Sequence, residues 1–282
     1  MYNFNKGMGE NSCTFPITKE QIDNLKPCRI VNIKEGNNHG IKIPDDFDII
    51  KSTYEIIDVR FDVGNDNFPY WFMDKYYPFE GDYEFPSEVL SIEGLCESNP
   101  KDLANIVRMD SPTDMPKAVL KWLTHPDYNQ KVNVKKWTAN YVNFLETIPD
   151  VEEQISDGVK RALHKTFEVK YFYGLARPEE VWKEITGFEH TENITAYPEG
   201  CPSHPTFPAG HSGAAAGGVV PIIKELDKLS PKQLKIVLDT AYSWSMFRSL
   251  AAVHFSDDNI AGLIIGGLGK YMRKEVREKY TI

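Results

Sequence analysis

His204-Pro-Thr-Phe-Pro-Ala-Gly-His211, running on into Ser212-Gly-Ala-Ala-Ala-Gly-Gly218, decides how this 282-residue chain is read. Pro208-Ala-Gly-His is a turn that enters a helix. The first backbone N–H groups of a helix have no partner inside it, so such a start binds anions readily. His211 at that start is a candidate proton donor, or a histidine that only fills the turn. The small residues Ala214–Gly218 lead into Val219–Leu226 and let this helix approach its neighbours closely. Pro221 is a candidate kink within it.

Working outward, the pattern stays helical. Downstream, Ser230 reads as an N-cap, with Pro231 in the first turn and Gln233 completing a capping box. That helix turns Leu234, Val237, Leu238, Ala241 and Trp244 or Ser245 inward. A last helix is expected from Asp257 or Asp258 through Ile260, Leu263, Ile264 and Leu268 to a basic end. Upstream, Pro178 suits the first turn of a helix through Glu179, Val181 and Ile185 that Gly187 ends. Asp150 is a candidate cap for a helix with Val151, Ile155, Val159, Leu163 and Phe167 on one side. Pro116–Leu123 and Lys135–Ile148 also carry helical spacing. Before them, Pro and Gly punctuate the chain, and Tyr54–Val63 alternates as a short strand would. Phe68–Phe85 is an aromatic stretch suited to cover a helical core. The expectation is one mostly α-helical domain, with residues 1–112 an irregular region packed on a helical core at 113–282.

Two further segments concentrate charge. Lys170-Tyr-Phe-Tyr-Gly-Leu-Ala-Arg177-Pro178 places two cations seven residues apart, about two helical turns, where they can share a face or form an ordinary solvated pair. Arg248-Ser-Leu-Ala-Ala-Val-His254-Phe-Ser-Asp257-Asp258 combines a guanidinium fork suited to an oxyanion with a histidine four residues before an acid. Asp258 could orient the His254 imidazole, or Asp257 and Asp258 could simply cap the last helix. Taken together, Lys170, Arg177 and Arg248 supply cations for a multiply charged anion, with His211 and His254 on opposite sides. That set suits a tetrahedral oxyanion passing through a five-coordinate geometry. It suits zinc poorly, because the histidines are far apart in sequence and the cations repel a metal cation.

The composition narrows the partners. Lys plus Arg total 32 against 41 Asp plus Glu, a net charge of −9. General binding to nucleic acid or an anionic membrane is therefore not expected, and an anion site must be a local basic cluster. Nothing in the sequence reads as a spanning helix. Cys13, Cys28, Cys96 and Cys201 are scattered without a CxxC pair, which suits free thiols in a reducing compartment. Met1–Phe15 carries no basic-then-apolar signal pattern, so a cytoplasmic location is expected and no other compartment is assigned. A homo-oligomer is compatible with these residues.

The spacing Lys170-x6-Arg177-Pro, Pro208-x-Gly-His211 and Arg248-x5-His254-x3-Asp258 resembles the type 2 phosphatidic-acid-phosphatase superfamily over about residues 165–270. Arg177-Pro-Glu-Glu, Pro198-Glu-Gly-Cys-Pro-Ser-His204 and Ala-Val-His254-Phe are similar to its vanadium-dependent haloperoxidases of the bromoperoxidase branch. The resemblance implies a helical bundle of the vanadium haloperoxidase and acid phosphatase type, with vanadate as cofactor and hydrogen peroxide and a halide as partners. It implies His254 as the axial vanadium ligand, and Lys170, Arg177, Arg248 and the Gly210 N–H on the equatorial oxygens. His211 would be the acid/base and Asp258 would orient His254. Hydrogen peroxide would bind the vanadium and the halide would leave as hypohalous acid. Ala209 stands where the family usually carries a serine that hydrogen-bonds an equatorial oxygen, and Ser212 and Thr206 are the candidates to replace that contact. His204 lies where bromoperoxidases carry histidine and chloroperoxidases an aromatic. It is expected to titrate near neutral pH and to favour iodide and bromide over chloride. Two alternatives stay open: a phosphatase with His254 as nucleophile and His211 protonating the leaving oxygen, or a retained fold without catalysis.

Overall fold

The structure, a computed structural model, describes residues 20, 21, 24, 36–62, 70–83, 148–187, 204–226, 231–250 and 252–282. Along them run α1 (Ile49–Asp62), α2 (Tyr70–Lys75), α3 (Val151–Tyr173), α4 (Pro178–Thr186), α5 (Gly210–Leu226), α6 (Pro231–Leu250), α7 (Ser256–Leu263) and α8 (Lys274–Tyr280). A π-helical turn at Ile264–Leu268 and a 3-10 turn at Gly269–Tyr271 join α7 to α8. The fold is mostly α-helical, as the periodicity predicts. Among the described residues β-pairing is limited to isolated bridges, Ile41 with Thr281 and Phe79 with Met272. No described helix is long and apolar enough to cross a membrane. The expected helices at Pro116–Leu123 and over most of Lys135–Ile148, and the Ser230–Gln233 cap, lie outside what is described.

α5 occupies the centre and packs against α3, α6 and α7. Its Gly and Ala residues set the distance. A Cβ on Gly158 of α3 would sit 2.0 Å from the Gly217 carbonyl oxygen, and one on Gly217 would sit 2.5 Å from the Gly158 carbonyl oxygen. A Cβ on Gly262 of α7 would lie 2.5 Å from the Ala209 carbonyl oxygen. Backbone therefore meets backbone at both contacts, which holds α3 and α7 close against α5 and its start. α5 is helical through Pro221.

Several local expectations change. Tyr54–Asp62 is helix, not strand: Ile49, Thr53, Ile56 and Ile57 are buried at i, i+4, i+7 and i+8, so the helical face begins upstream of the apparent alternation. Residues 1–112 thus contain helix at α1 and α2 rather than irregular chain alone. Asp150 has a left-handed backbone (φ 51°), and its side chain makes no cap hydrogen bond. Its carbonyl takes the Gln154 N–H instead, at 2.9 Å. On α3 the buried stripe runs through Ile155, Val159, Ala162, Thr166 and Val169, with Leu163 and Phe167 at its margin. The last helix does not run unbroken to a basic end. Gly266 is pressed against Ala216 and the Gly213 carbonyl, and Gly267 takes φ 109°, so the chain unwinds before the basic residues of α8.

The N-terminal elements close over this bundle. Tyr54 meets the Trp182 ring at 5.8 Å and Phe47 meets Phe255 at 5.4 Å. The Tyr77 hydroxyl donates to the buried Asp239 of α6, and the Tyr242 hydroxyl donates to the Met73 carbonyl. Phe72, Met73, Tyr77 and Phe79 are buried, so Phe68–Phe85 does cover the core where it is described.

The Gly158–Gly217 contact gives a stability prediction. Gly→Ala inside a helix ordinarily stabilises by roughly 0.5–1 kcal/mol. Here the added methyl meets backbone, so Gly158→Ala should reverse that sign and cost about 1–3 kcal/mol, the usual penalty of overpacking. Urea denaturation checks it; an unchanged or raised midpoint contradicts the close approach.

Candidate active site

α3 delivers Lys170 in its last turn, before Gly174 (φ 61°) ends the helix with its N–H on the Lys170 carbonyl. Lys170 is fully buried, and its Nζ donates to the Pro205 and Thr206 carbonyls at 2.7 and 2.8 Å. Arg177 is the N-cap of α4, with its N–H on the Glu180 carboxylate at 2.8 Å. The two cations therefore do not share one helix face, because the chain leaves the helix between them. They meet through residues 204–206. Arg177 donates from Nε to the His204 carbonyl at 3.1 Å, from one terminal nitrogen to the Val253 carbonyl at 2.6 Å, and from the other to His204 Nδ1 at 3.1 Å. The Thr206 N–H on the Leu175 carbonyl, 2.8 Å, fixes the same loop to the α3–α4 connection.

Arg248 arrives from the last turn of α6 and is 1% exposed. A tight turn follows, with Ala252 left-handed (φ 57°) and the Val253 N–H on the Arg248 carbonyl. It sets His254 just before α7. His254 Nδ1 lies 3.1 Å from Asp258 Oδ2 and 3.1 Å from the Thr206 hydroxyl, while Nε2 lies 3.4 Å from an Arg177 terminal nitrogen. A guanidinium only donates, so Nε2 carries a lone pair and Nδ1 carries the proton. Asp258, in the first turn of α7, also accepts the Phe255 N–H at 2.9 Å and so caps the start of that helix. Capping and imidazole orientation, set as alternatives by the sequence, are thus both met by one carboxylate. Its backbone carbonyl takes the Ala209 N–H at 2.8 Å, which fixes the start of α5 against α7.

The electrostatics follow from burial and three cations. Burial, then the charges of Arg177, Lys170 and Arg248, hold the His254 pKa well below the usual histidine range. Burial and then Arg248 do the same to His211 at the start of α5. Burial, then Lys170 and Arg177, push His204 down to about 2. The expectation that His204 titrates near neutral pH is therefore overturned: it lies against the Phe167 ring at 5.0 Å and stays neutral. Lys170 is lowered, first by burial and then by Arg177. Burial pushes Asp258 up to about 7 against the lowering effect of Thr206 and Lys170.

The structure thus brings Lys170, Arg177, His204, Gly210, His211, Arg248, His254 and Asp258 to one place where α3, α4, α5, α6 and α7 end or begin. Ala209 is there too, fully buried. The suggested replacements for its missing hydroxyl point elsewhere. Ser212 donates to the Asn259 side-chain oxygen at 3.1 Å, and the Thr206 hydroxyl donates to Asp258. Sequence reasoning missed Asn259 and Ser249. The Asn259 amide donates to the Ser249 hydroxyl at 2.7 Å, and that hydroxyl donates to the His254 carbonyl at 3.0 Å. Ser212, Ser249 and Asn259 each follow a candidate residue directly, which was the available signal.

The donor set fits an oxyanion such as vanadate. Buried cations add a positive field to the burial that depresses the neighbouring imidazoles, and His254 Nε2 offers a lone pair beside them. Among the described residues no cluster of His, Cys, Asp and Glu suits a bare metal cation. Residues 158–278, which hold all of these positions, match the PAP2 superfamily, whose members include phosphatases and haloperoxidases. No curated protein matches the chain.

The depressed histidines give a pH prediction. Unfolding exposes them to ordinary values of about 6.5. Below that pH the unfolded chain binds more protons at His204, His211 and His254 than the folded one, so stability falls as pH falls. Asp257 and Asp258 are raised and act in the opposite direction above the carboxylate range, but the three histidines outnumber them. Each net proton is worth about 1.4 kcal/mol per pH unit. The urea midpoint should drop from pH 6.5 to pH 5, and less steeply in His204→Phe. A midpoint that rises on acidification contradicts neutral, buried imidazoles.

Proposed function

We propose that the cluster holds vanadate and that the protein is a vanadium-dependent haloperoxidase, oxidising bromide or iodide with hydrogen peroxide to hypohalous acid. The observation that carries this reading is the lone pair of His254 Nε2, turned toward the buried Arg177 guanidinium within a cluster of three cations. When bound, vanadate supplies a pentavalent Lewis acid that polarises peroxide. Lys170, Arg177 and Arg248 would neutralise its oxygens, and the N–H groups at the start of α5, Gly210 first, would add their dipoles. Asp258 keeps the His254 proton on Nδ1 and leaves Nε2 unprotonated, so that the lone pair now facing Arg177 would be given to the metal. His211, held neutral, accepts and returns a proton at an imidazole nitrogen. His204 accepts from Arg177 at Nδ1 and so holds the plane of that guanidinium.

A phosphatase is the second reading. The PAP2 superfamily match spans phosphatases as well as haloperoxidases, and the same lone pair would attack phosphorus. One preparation separates the two: halide oxidation with vanadate and peroxide, and phosphate-ester hydrolysis without vanadate. Vanadate-dependent halide oxidation is expected, abolished in His254→Ala and reduced about 10–100-fold in Asp258→Ala, as is usual for a residue that orients a ligand. Hydrolysis without halide oxidation supports the phosphatase. Neither activity, with intact His254→Ala folding, leaves the retained fold without catalysis.

Halide choice tests His204. Iodide and bromide should be oxidised and chloride hardly at all, because chloride gives up electrons least readily. In His204→Phe the guanidinium of Arg177 loses an acceptor, so the relative rates should change. Steady-state rates with each halide decide it; efficient chloride oxidation by the wild type, or an unchanged profile in the variant, overturns the assignment.

A further inference from the structure

Thr206 is fully buried and touches more of the site than its place in the sequence suggests. Its carbonyl takes the Lys170 ammonium at 2.8 Å. Its hydroxyl donates to Asp258 Oδ2 and lies 3.1 Å from His254 Nδ1. The one hydroxyl proton goes to the carboxylate, so an oxygen lone pair faces the ring. Nδ1 then meets two acceptors, Asp258 Oδ2 and Thr206 Oγ1, and both demand a proton there. Among the described residues, Asp258 Oδ1 is buried without a hydrogen-bond partner. The carboxylate is therefore oriented through Oδ2 alone, by Thr206, by the Phe255 N–H and by the ring it is meant to hold. Without the hydroxyl, only the Phe255 N–H would fix it independently of His254.

We propose that Thr206 is a positioning residue: its hydroxyl fixes the Asp258 carboxylate and, with it, the tautomer and ring orientation of His254. The proposal deepens the reading of His254 as the nitrogen that acts on the oxyanion, and rests on that reading only for its effect on rate. Thr206 does not touch the reacting atoms in this role. Arg177 at Nε2 favours the same tautomer from 3.4 Å, and the Thr206 hydroxyl, at 3.1 Å from Nδ1, adds the acceptor and the carboxylate anchor that hold the proton there. Serine keeps the hydroxyl, whereas valine keeps the shape and loses it.

The test is nitrogen NMR on the full-length, ligand-free protein with labelled histidine, the His254 signals being assigned by their loss in His254→Asn. Wild type and Thr206→Ser should show a single His254 tautomer protonated at Nδ1. Thr206→Val should show averaged or doubled His254 signals, with far-UV circular dichroism unchanged; Thr206→Ala carries the same test if the valine variant does not fold. In turnover, Thr206→Val should lose about 10–100-fold in kcat with KM little changed, and Thr206→Ser should restore it. A single Nδ1-protonated tautomer in Thr206→Val overturns the proposal. So does failure of both hydroxyl-free variants to fold, which would make the role purely structural. A changed tautomer in a protein with neither halide-oxidising nor phosphatase activity would refute the proposed function and leave the positioning role standing.

Discussion

The Asp258 carboxylate joins parts of the chain that would otherwise have no reason to meet. It takes the Phe255 N–H and so starts α7, it holds Nδ1 of His254, and it receives the Thr206 hydroxyl. Its carbonyl holds the Ala209 N–H one residue before α5. A buried acid with that many contacts sets the relative position of the His204–Ala209 loop, α5 and α7. The close backbone contact of Gly262 with Ala209 makes the arrangement possible, because any side chain at Gly262 would push the two apart.

Around that carboxylate the fold buries three cations, which is costly unless polar groups replace water. The replacements are largely backbone. Lys170 is held by the carbonyls of Pro205 and Thr206, and Arg177 by those of His204 and Val253. Carbonyl dipoles solvate a cation without cancelling its charge, so the field persists and adds to burial, the larger cause, in depressing His204, His211 and His254. The result is an overall acidic protein, net charge −9, with an internal positive centre. Such a centre favours an anion already in place over reorganising around one.

Much of this was legible in the sequence because it rests on local chemistry. Gly187 ends a helix in a left-handed conformation, Pro178 begins one, and the small residues of α5 announce a close approach. The order of Lys170, Arg177, His211, Arg248, His254 and Asp258 carried the site. What was hidden depends on tertiary contact. Seven-residue spacing placed Lys170 and Arg177 on one helix, yet a left-handed glycine lies between them. His204 has an ordinary titration range until Phe167 and Arg177 enclose it. The apparent strand at Tyr54 is a helix whose buried face starts at Ile49, outside the window that showed alternation. Ser249 and Asn259 are unremarkable polar residues until burial obliges them to bond each other.

The account turns on His254 Nε2 as the atom that meets the oxyanion. Diffraction from crystals soaked in orthovanadate tests this directly. The account predicts density for a vanadium atom bonded to Nε2 of His254, with its oxygens facing Lys170, Arg177 and Arg248. Vanadate bound away from His254, or no density at the cationic cluster at saturating vanadate, would contradict it.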